Sequence, residues 1–266
     1  MNPRSGAAFW AVILITVGAI FLLQNLGVLR VGWGVLWPVF LILIGGWLLL
    51  SNFIGRGSRA TSTQLIPLDG AREARLEVHH GAGELRIGSS ADPATLINST
   101  FDGELEQRVQ RDGERVDARL SLNRDWTFWM WPGSWWGAPL HWRLDINREV
   151  PLTLDVHTGA STANLDLREL KVRDFKLETG ASTIDVYLPA NGQVAARVKA
   201  GAATVRLHLP ESVAARVRGV VGVGTLKLNE ARFPYLNGVH QSPNYDTAAN
   251  RVDLSVEAGA ATVTVM

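Results

Sequence analysis

At 266 residues with 47% hydrophobic content, the chain has room for a sizeable core, a membrane part, or both. A net charge of +1, with no basic stripe and no interleaving of basic and aromatic residues, argues against nucleic acid as a partner. The absence of cysteine removes disulfides, thiolate catalysis and cysteine metal sites.

After Arg4 no charge occurs from Ser5 to Leu29, and after Arg30 none occurs from Val31 to Gly55. Each run exceeds the ~20 residues a helix needs to cross a bilayer core, so residues 1–55 are predicted to form a two-helix transmembrane hairpin. Trp10, Trp33, Trp37 and Trp47 fall near the predicted ends, where amphipathic rings favour the interface. No small-x-small cleavage site follows the first run, and a second run does follow, which argues against a signal peptide. Arg4, Arg56 and Arg59 outweigh Arg30, so the positive-inside rule predicts both ends of the hairpin in the cytoplasm. Residues 56–64 (RGSRATSTQ) are expected to be a linker along the membrane surface.

From residue 65 to 266 the sequence predicts a single β-solenoid. Gly159, Gly180, Gly201 and Gly222 stand 21 residues apart, each opening a short phrase: GAST, GAST, GAAT and GVGT. Gly81 and Gly259 open two relatives, GAGE and GAAT, giving about six rungs. A fixed interval of this size marks a unit that buries its apolar face only by stacking on its neighbours. On both sides of the glycine the apolar residues alternate, as in Phe175 and Leu177, then Ile184, Val186 and Leu188, which means strands around a corner. The first rung is expected over Leu65–Ile87, with Leu76, Val78, Leu85 and Ile87 inward.

If the rungs stack in chain order, the column five residues after the glycine runs Asn164, Asp185, Arg206, Lys227, and the one four before it runs Asp155, Lys176, Arg197, Arg218. In the first of these, and in the column two before the glycine (His157, Glu178, Lys199), opposite charges mostly meet; the second begins well and ends with like charges, so the electrostatic match is partial. Insertions are predicted at residues 89–150, as antiparallel strands with a turn at Asp112-Gly113, and at 229–250, as a long loop. The chain then ends in a last rung whose edge is either covered by loops or available for pairing.

The first insertion ends in a dense aromatic cluster that includes Trp126, Trp129, Trp131, Trp135, Trp136 and Trp142. It either caps an end or side of the solenoid or forms a loop that meets the membrane interface or a partner.

His79 and His157 both stand two residues before a corner glycine and become neighbours if the first two rungs stack. Two imidazoles with no third ligand specified make a poor metal site, so no metal and no cofactor are expected. Acidic columns are broken by basic neighbours, and no nucleophile elbow, phosphate loop or dinucleotide fingerprint occurs, so no catalysis is expected.

With these residues laid out, the chain resembles the LiaF-like family of bacterial cell-envelope stress proteins. The first part, FLLQNLG followed by Trp37-Pro38 and Leu43-Ile44-Gly45-Gly46, is similar to that family's membrane hairpin. The second is similar to its carboxy-terminal domain, in which glycine corners precede short strands ending in Leu-Pro, here Leu188-Pro189 and Leu209-Pro210. The resemblance implies a multi-pass protein of a bacterial plasma membrane, non-enzymatic, with the lipid bilayer and a membrane histidine kinase or other envelope-stress protein as partners. Homo-oligomers are compatible with it. The alternative is an outward-facing, adhesin-like solenoid that binds envelope components. The tryptophans carry the expected contact, and Gly81, Gly159, Gly180, Gly201, Gly222 and Gly259 the corners.

Overall fold

The computed structural model describes residues 61–102, 105–122, 140–236 and 238–266. They belong to one compact unit, Arg59–Asn123 with Pro139–Met266. The predicted membrane hairpin lies outside the described residues, and among those described no helix is long and apolar enough to cross a membrane.

The described residues form a mostly β domain. In chain order its strands are β1 (Thr61–Pro67), β2 (Glu73–Ser90), β3 (Thr95–Asp102), β4 (Leu105–Asp112), β5 (Arg115–Leu122), β6 (Leu140–Asn147), β7 (Leu152–Asp166), β8 (Val172–Thr179) and β9 (Thr183–Tyr187). There follow β10 (Gln193–Ala200), β11 (Thr204–His208), β12 (Ala214–Val221), β13 (Thr225–Leu228), β14 (Tyr235–Leu236), β15 (Val239–Gln241), β16 (Arg251–Ala258) and β17 (Thr262–Val265). Each sequence copy contributes a segment before its glycine and one after it. Segments before the glycine pair in parallel on one face, and segments after it pair in parallel on a second face.

Alternation explains why these segments are strands with one buried side. Leu76, Leu154, Phe175, Ala196, Leu254 and Val217 form one inward column, and Ile87, Leu165, Val186, Leu207 and Val265 form another on the opposite face. All of these are buried. Because side chains alternate with period two, every outward neighbour in between is free to be polar.

The order of the copies departs from chain order. β16 pairs on one side with β10 and on the other with β12, and β17 likewise lies between β11 and β13. The carboxy-terminal copy is thus inserted between the fourth and fifth, and the chain's last strand is paired on both sides rather than left as an edge. The charge columns give the physical reason. In chain order Arg197 would lie beside Arg218 and Arg206 beside Lys227. In the structure Ser255 separates the first pair and Thr264 the second. Arg218 moreover gains Asp253, 2.6 Å away at Oδ2. Like charges side by side on neighbouring strands are unfavourable, and the swap removes two such pairs.

The corner glycines stand on one another's carbonyls. Ala181 N donates to Gly159 O at 2.9 Å, Ala202 N to Gly180 O at 2.9 Å and Ala260 N to Gly201 O at 2.8 Å. A Cβ at Gly180 would lie 2.9 Å from Gly159 O, so close approach of backbones, and not positive φ, is what requires glycine there. Thr158 Oγ1 donates to Thr179 Oγ1 at 2.9 Å just before this corner, and the Ser161 and Ser182 hydroxyls lie 3.3 Å apart just after it. Gly180→Ala should therefore destabilise the domain by roughly 1–3 kcal/mol, as overpacking does elsewhere. Thermal unfolding of the full-length protein checks this, and an unchanged midpoint would show that the corner can open at little cost.

The first insertion does not separate the first two copies. β2 pairs directly with β7 over almost its whole length, and β5 and β6 pair with the two halves of β2 on its other side. β4 and β5 form the hairpin expected at Asp112-Gly113, with Gly113 at φ +59°. β1 pairs antiparallel with β3, so the first copy begins at Glu73 rather than Leu65, and β1 starts inside the segment read as linker. The second insertion is more ordered than a long loop. β14 and β15 make a short hairpin, and β15 covers Arg216 and Val217 of β12. Phe233, fully buried, anchors it, and Arg232 Nη1 donates to Leu209 O at 2.9 Å.

Candidate functional site

Three features of the outer surface stand apart from the regular stack. The first is a groove of about 1050 Å³ that follows the corners, lined by Ala160, Ser161, Ala181, Ser182 and Ala202, with Glu84 and His141 at one end. His141 Nδ1 lies 3.1 Å from Asp102 Oδ2, and its Nε2 lies 3.6 Å from Glu84 Oε2. Partial burial works against the Asp102 carboxylate, but hydrogen bonds from His141 and Thr61 hold its pKa below the usual value. The small Ala, Ser and Thr residues that follow each corner glycine keep this groove free of large side chains.

The second feature lies on the outer face of β2 and β7. In-register pairing puts Glu77 opposite Asp155 and His79 opposite His157. The two imidazoles stack with centroids 4.6 Å apart and planes 7° from parallel. His79 Nε2 lies 2.5 Å from Glu77 Oε1, and His157 Nε2 lies 2.9 Å from Asp155 Oδ1. Partial burial opposes the charge on Glu77, yet hydrogen bonds from His79 and Arg119 hold its carboxyl below the ordinary range. The histidines were legible as neighbours in the sequence. The carboxylates two residues before each of them, on the same face of the strand, are the signal that reading passed over.

The third feature is the outermost copy. The outward column two residues before the glycine runs His79, His157, Glu178, Lys199, Glu257 and then Val220. The position just after the glycine is Ala82, Ala160, Ala181, Ala202 or Ala260, and then Val223. Val220 is 75% exposed and Val223 79% exposed, with Tyr235 and Leu236 also exposed nearby in chain order. Among the described residues β13 pairs only with β17, so its other edge carries no strand.

Of the tryptophans read as contact residues, Trp126, Trp129, Trp131, Trp135 and Trp136 lie outside the described residues. Trp142 is a correction. It is 2% exposed, sits opposite Phe101 and Leu85, and belongs to the core. It alternates inward with Leu144 and Ile146 along β6, and this period-two pattern, not its proximity to other tryptophans, decides where it points. Its ring meets His80 edge-on at 5.2 Å.

No curated protein matches the chain. Among solved structures, a candidate cell adhesion protein from Clostridium sporogenes ATCC 15579 is 16% identical, with 77% of this chain and 98% of that one covered at a TM-score of 0.66. It shows a shared fold. A candidate adhesin from Bacteroides fragilis NCTC 9343, 7% identical over 79% of this chain and 98% of that one, has a TM-score of 0.22 and carries no argument. Residues 8–49 match the LiaI-LiaF-like transmembrane region. Residues 55–208, more than half of the chain, match the model of the N-terminal domain of toast_rack, DUF2154. Joined to the transmembrane region before it, that match places the chain in the toast_rack family, as a LiaF-like protein.

Proposed function

We propose that this protein is a non-enzymatic, multi-pass membrane regulator of a bacterial cell-envelope stress response, restraining a two-component histidine kinase by direct contact. The stack of copies is read as a β-solenoid on the cytoplasmic side, carried by a helical membrane hairpin. The observation that carries the contact reading is the outermost copy, where the two outward columns that are polar or small in the other copies turn to exposed valine. Isolated exposed apolar residues are ordinary, but two column breaks in one copy at a strand edge fit a covered surface. The opposite end supplies the contrast. There the edge strand β4 carries Glu106, Arg108, Arg111 and Asp112, which discourage pairing, whereas β13 carries Lys227 alone. An extended segment of the kinase adding to β13 is the contact this edge suits.

In cells lacking the gene and carrying an envelope-stress reporter, the wild-type protein should restore restraint of the reporter. Val220→Lys with Val223→Lys should leave the protein folded and membrane-bound but fail to restore it. Restoration equal to wild type, or cross-linking through this edge that captures only second copies of the chain, would overturn the kinase contact. The fold shared with a candidate adhesion protein favours an outward-facing envelope-binding reading as the alternative. Paired cytoplasm-active and export-active reporters fused at Met266 separate the two, since an exported end excludes the kinase reading.

A further inference from the structure

We propose that Glu77, His79, Asp155 and His157 bind a divalent first-row metal ion, zinc being the ion whose preferences they meet, on the outer face of the β2 and β7 pair. The inference rests on local geometry and not on the regulatory reading above.

Two adjacent strands in register each present a carboxylate and, two residues later, an imidazole. The result is a square of two nitrogen and two oxygen donors on one surface. One donor atom from each of Glu77, His79 and His157 lies within 4.8 Å of the others. Ligands about 2.0–2.2 Å from a tetrahedral zinc ion stand roughly 3.4 Å apart, and because the two rings lie nearly parallel, one imidazole turns out of the stack for both in-plane nitrogens to meet a single ion. The square is also oriented from outside. Arg119 Nη2 takes Glu77 Oε2 at 2.5 Å, and Lys176 Nζ approaches Asp155 Oδ2 at 3.8 Å. Both cations use the outer oxygens, leaving Glu77 Oε1 and Asp155 Oδ1 turned toward the imidazoles.

A second, independent observation concerns Asp155. It is only 9% exposed, and its Oδ1 has no hydrogen-bond partner although His157 Nε2 is 2.9 Å away, so the two meet out of hydrogen-bond alignment. A buried carboxylate oxygen of this kind is costly unless something satisfies it. On the far side of the ring, His157 Nδ1 lies 3.1 Å from Glu178 Oε2. A carboxylate on one ring nitrogen fixes the tautomer that leaves the other free for a metal. Bound there, an ion would clip β2 to β7 across the whole first insertion, where closing a long loop has the most to contribute.

The test uses the full-length protein in nanodiscs with any histidine tag removed. Zinc titrated in competition with a chromophoric chelator should show one ion per chain. His79→Asn and His157→Asn should each weaken binding on the order of 100-fold, the upper end of what even supporting residues of metal sites cost. His141→Asn should leave it unchanged. Saturating zinc should raise the thermal midpoint of the wild type by about 5 °C or more, and that of neither variant. Copper(II) electron paramagnetic resonance on the wild type gives a readout that does not depend on any variant folding, because it counts the imidazole nitrogens on the metal. Two support the site. Fewer than two, no saturable zinc binding, or zinc binding that survives both histidine substitutions would overturn it.

Discussion

Val186→Asp should unfold the domain or lower its thermal midpoint by about 10 °C or more. Val186 is fully buried, in the middle of β9, and touches Leu165 of β7 on one side and Leu207 of β11 on the other in register. A carboxylate there has no partner, because the flanking inward residues Ile184 and Leu188 are also buried and apolar. An uncompensated buried charge costs roughly 3–5 kcal/mol, and protonating it instead still leaves a polar group in an apolar column. Domains of this size lose about 2–4 °C per kcal/mol, and their whole stability is on the order of 5–15 kcal/mol. The next residue is the control. Asp185 points outward, opposite Asn164 and Arg206, so Asp185→Asn should shift the midpoint by a degree or two at most. Circular dichroism melts of the two variants in the full-length protein make the comparison. Equal melts would mean that β9 does not present alternate residues to a shared core.

The contrast between those two adjacent residues is also the measure of what was legible in advance. Period-two alternation around a recurrent glycine specifies which side of each strand is buried, and Leu76, Val78, Leu85 and Ile87 are buried as that pattern requires. The order of the copies was not legible from spacing, because each glycine corner can stack on any other. It was partly legible from charge. Arg197 beside Arg218 was the place where a chain-order stack failed, and there the carboxy-terminal copy inserts Ser255; Arg206 beside Lys227, now separated by Thr264, was a second like pair that the reading passed over. A failed column was information about topology.

Trp142 shows the opposite error, composition overriding periodicity. It stands in a region crowded with tryptophan, yet Trp142, Leu144 and Ile146 alternate as a strand with a core face. The carboxylates beside His79 and His157 were missed for a related reason. Each stands on the same strand as its histidine, two residues earlier and on the same face, but the cross-strand column of histidines was followed instead, and it stops at two imidazoles. Val220 and Val223 were in plain view as departures from their columns, but an exposed edge became visible only once the copy they belong to was placed outermost.

Acidification should weaken the domain before the carboxylates with lowered pKa values titrate. His80 is 2% exposed, packed edge-on to Trp142, and neither ring nitrogen has a hydrogen-bond partner. Burial pushes its pKa down from 6.5 to about 4, with the Leu140 backbone, near but out of hydrogen-bond alignment, opposing the shift. Above pH 6.5 the ring is neutral in both folded and unfolded chains, and the full stability is present. Between 6.5 and about 4 the unfolded chain takes up a proton that the folded chain refuses, so stability falls as pH falls. The whole loss is about 3 kcal/mol. The carboxylates whose pKa values are lowered by partners, among them Glu77, Asp102, Asp166 and Glu178, act in the same direction but later. Their contribution is present above the ordinary carboxylate values of 3.8 and 4.5 and disappears as pH drops through the depressed folded values. Stability measured by urea unfolding from pH 7.5 to 4.5 should therefore slope downward in wild type, and His80→Phe, which keeps an aromatic ring against Trp142, should flatten that slope. If the variant keeps the wild-type slope, the acid sensitivity above pH 4.5 belongs to another group and His80 is not held neutral by its burial.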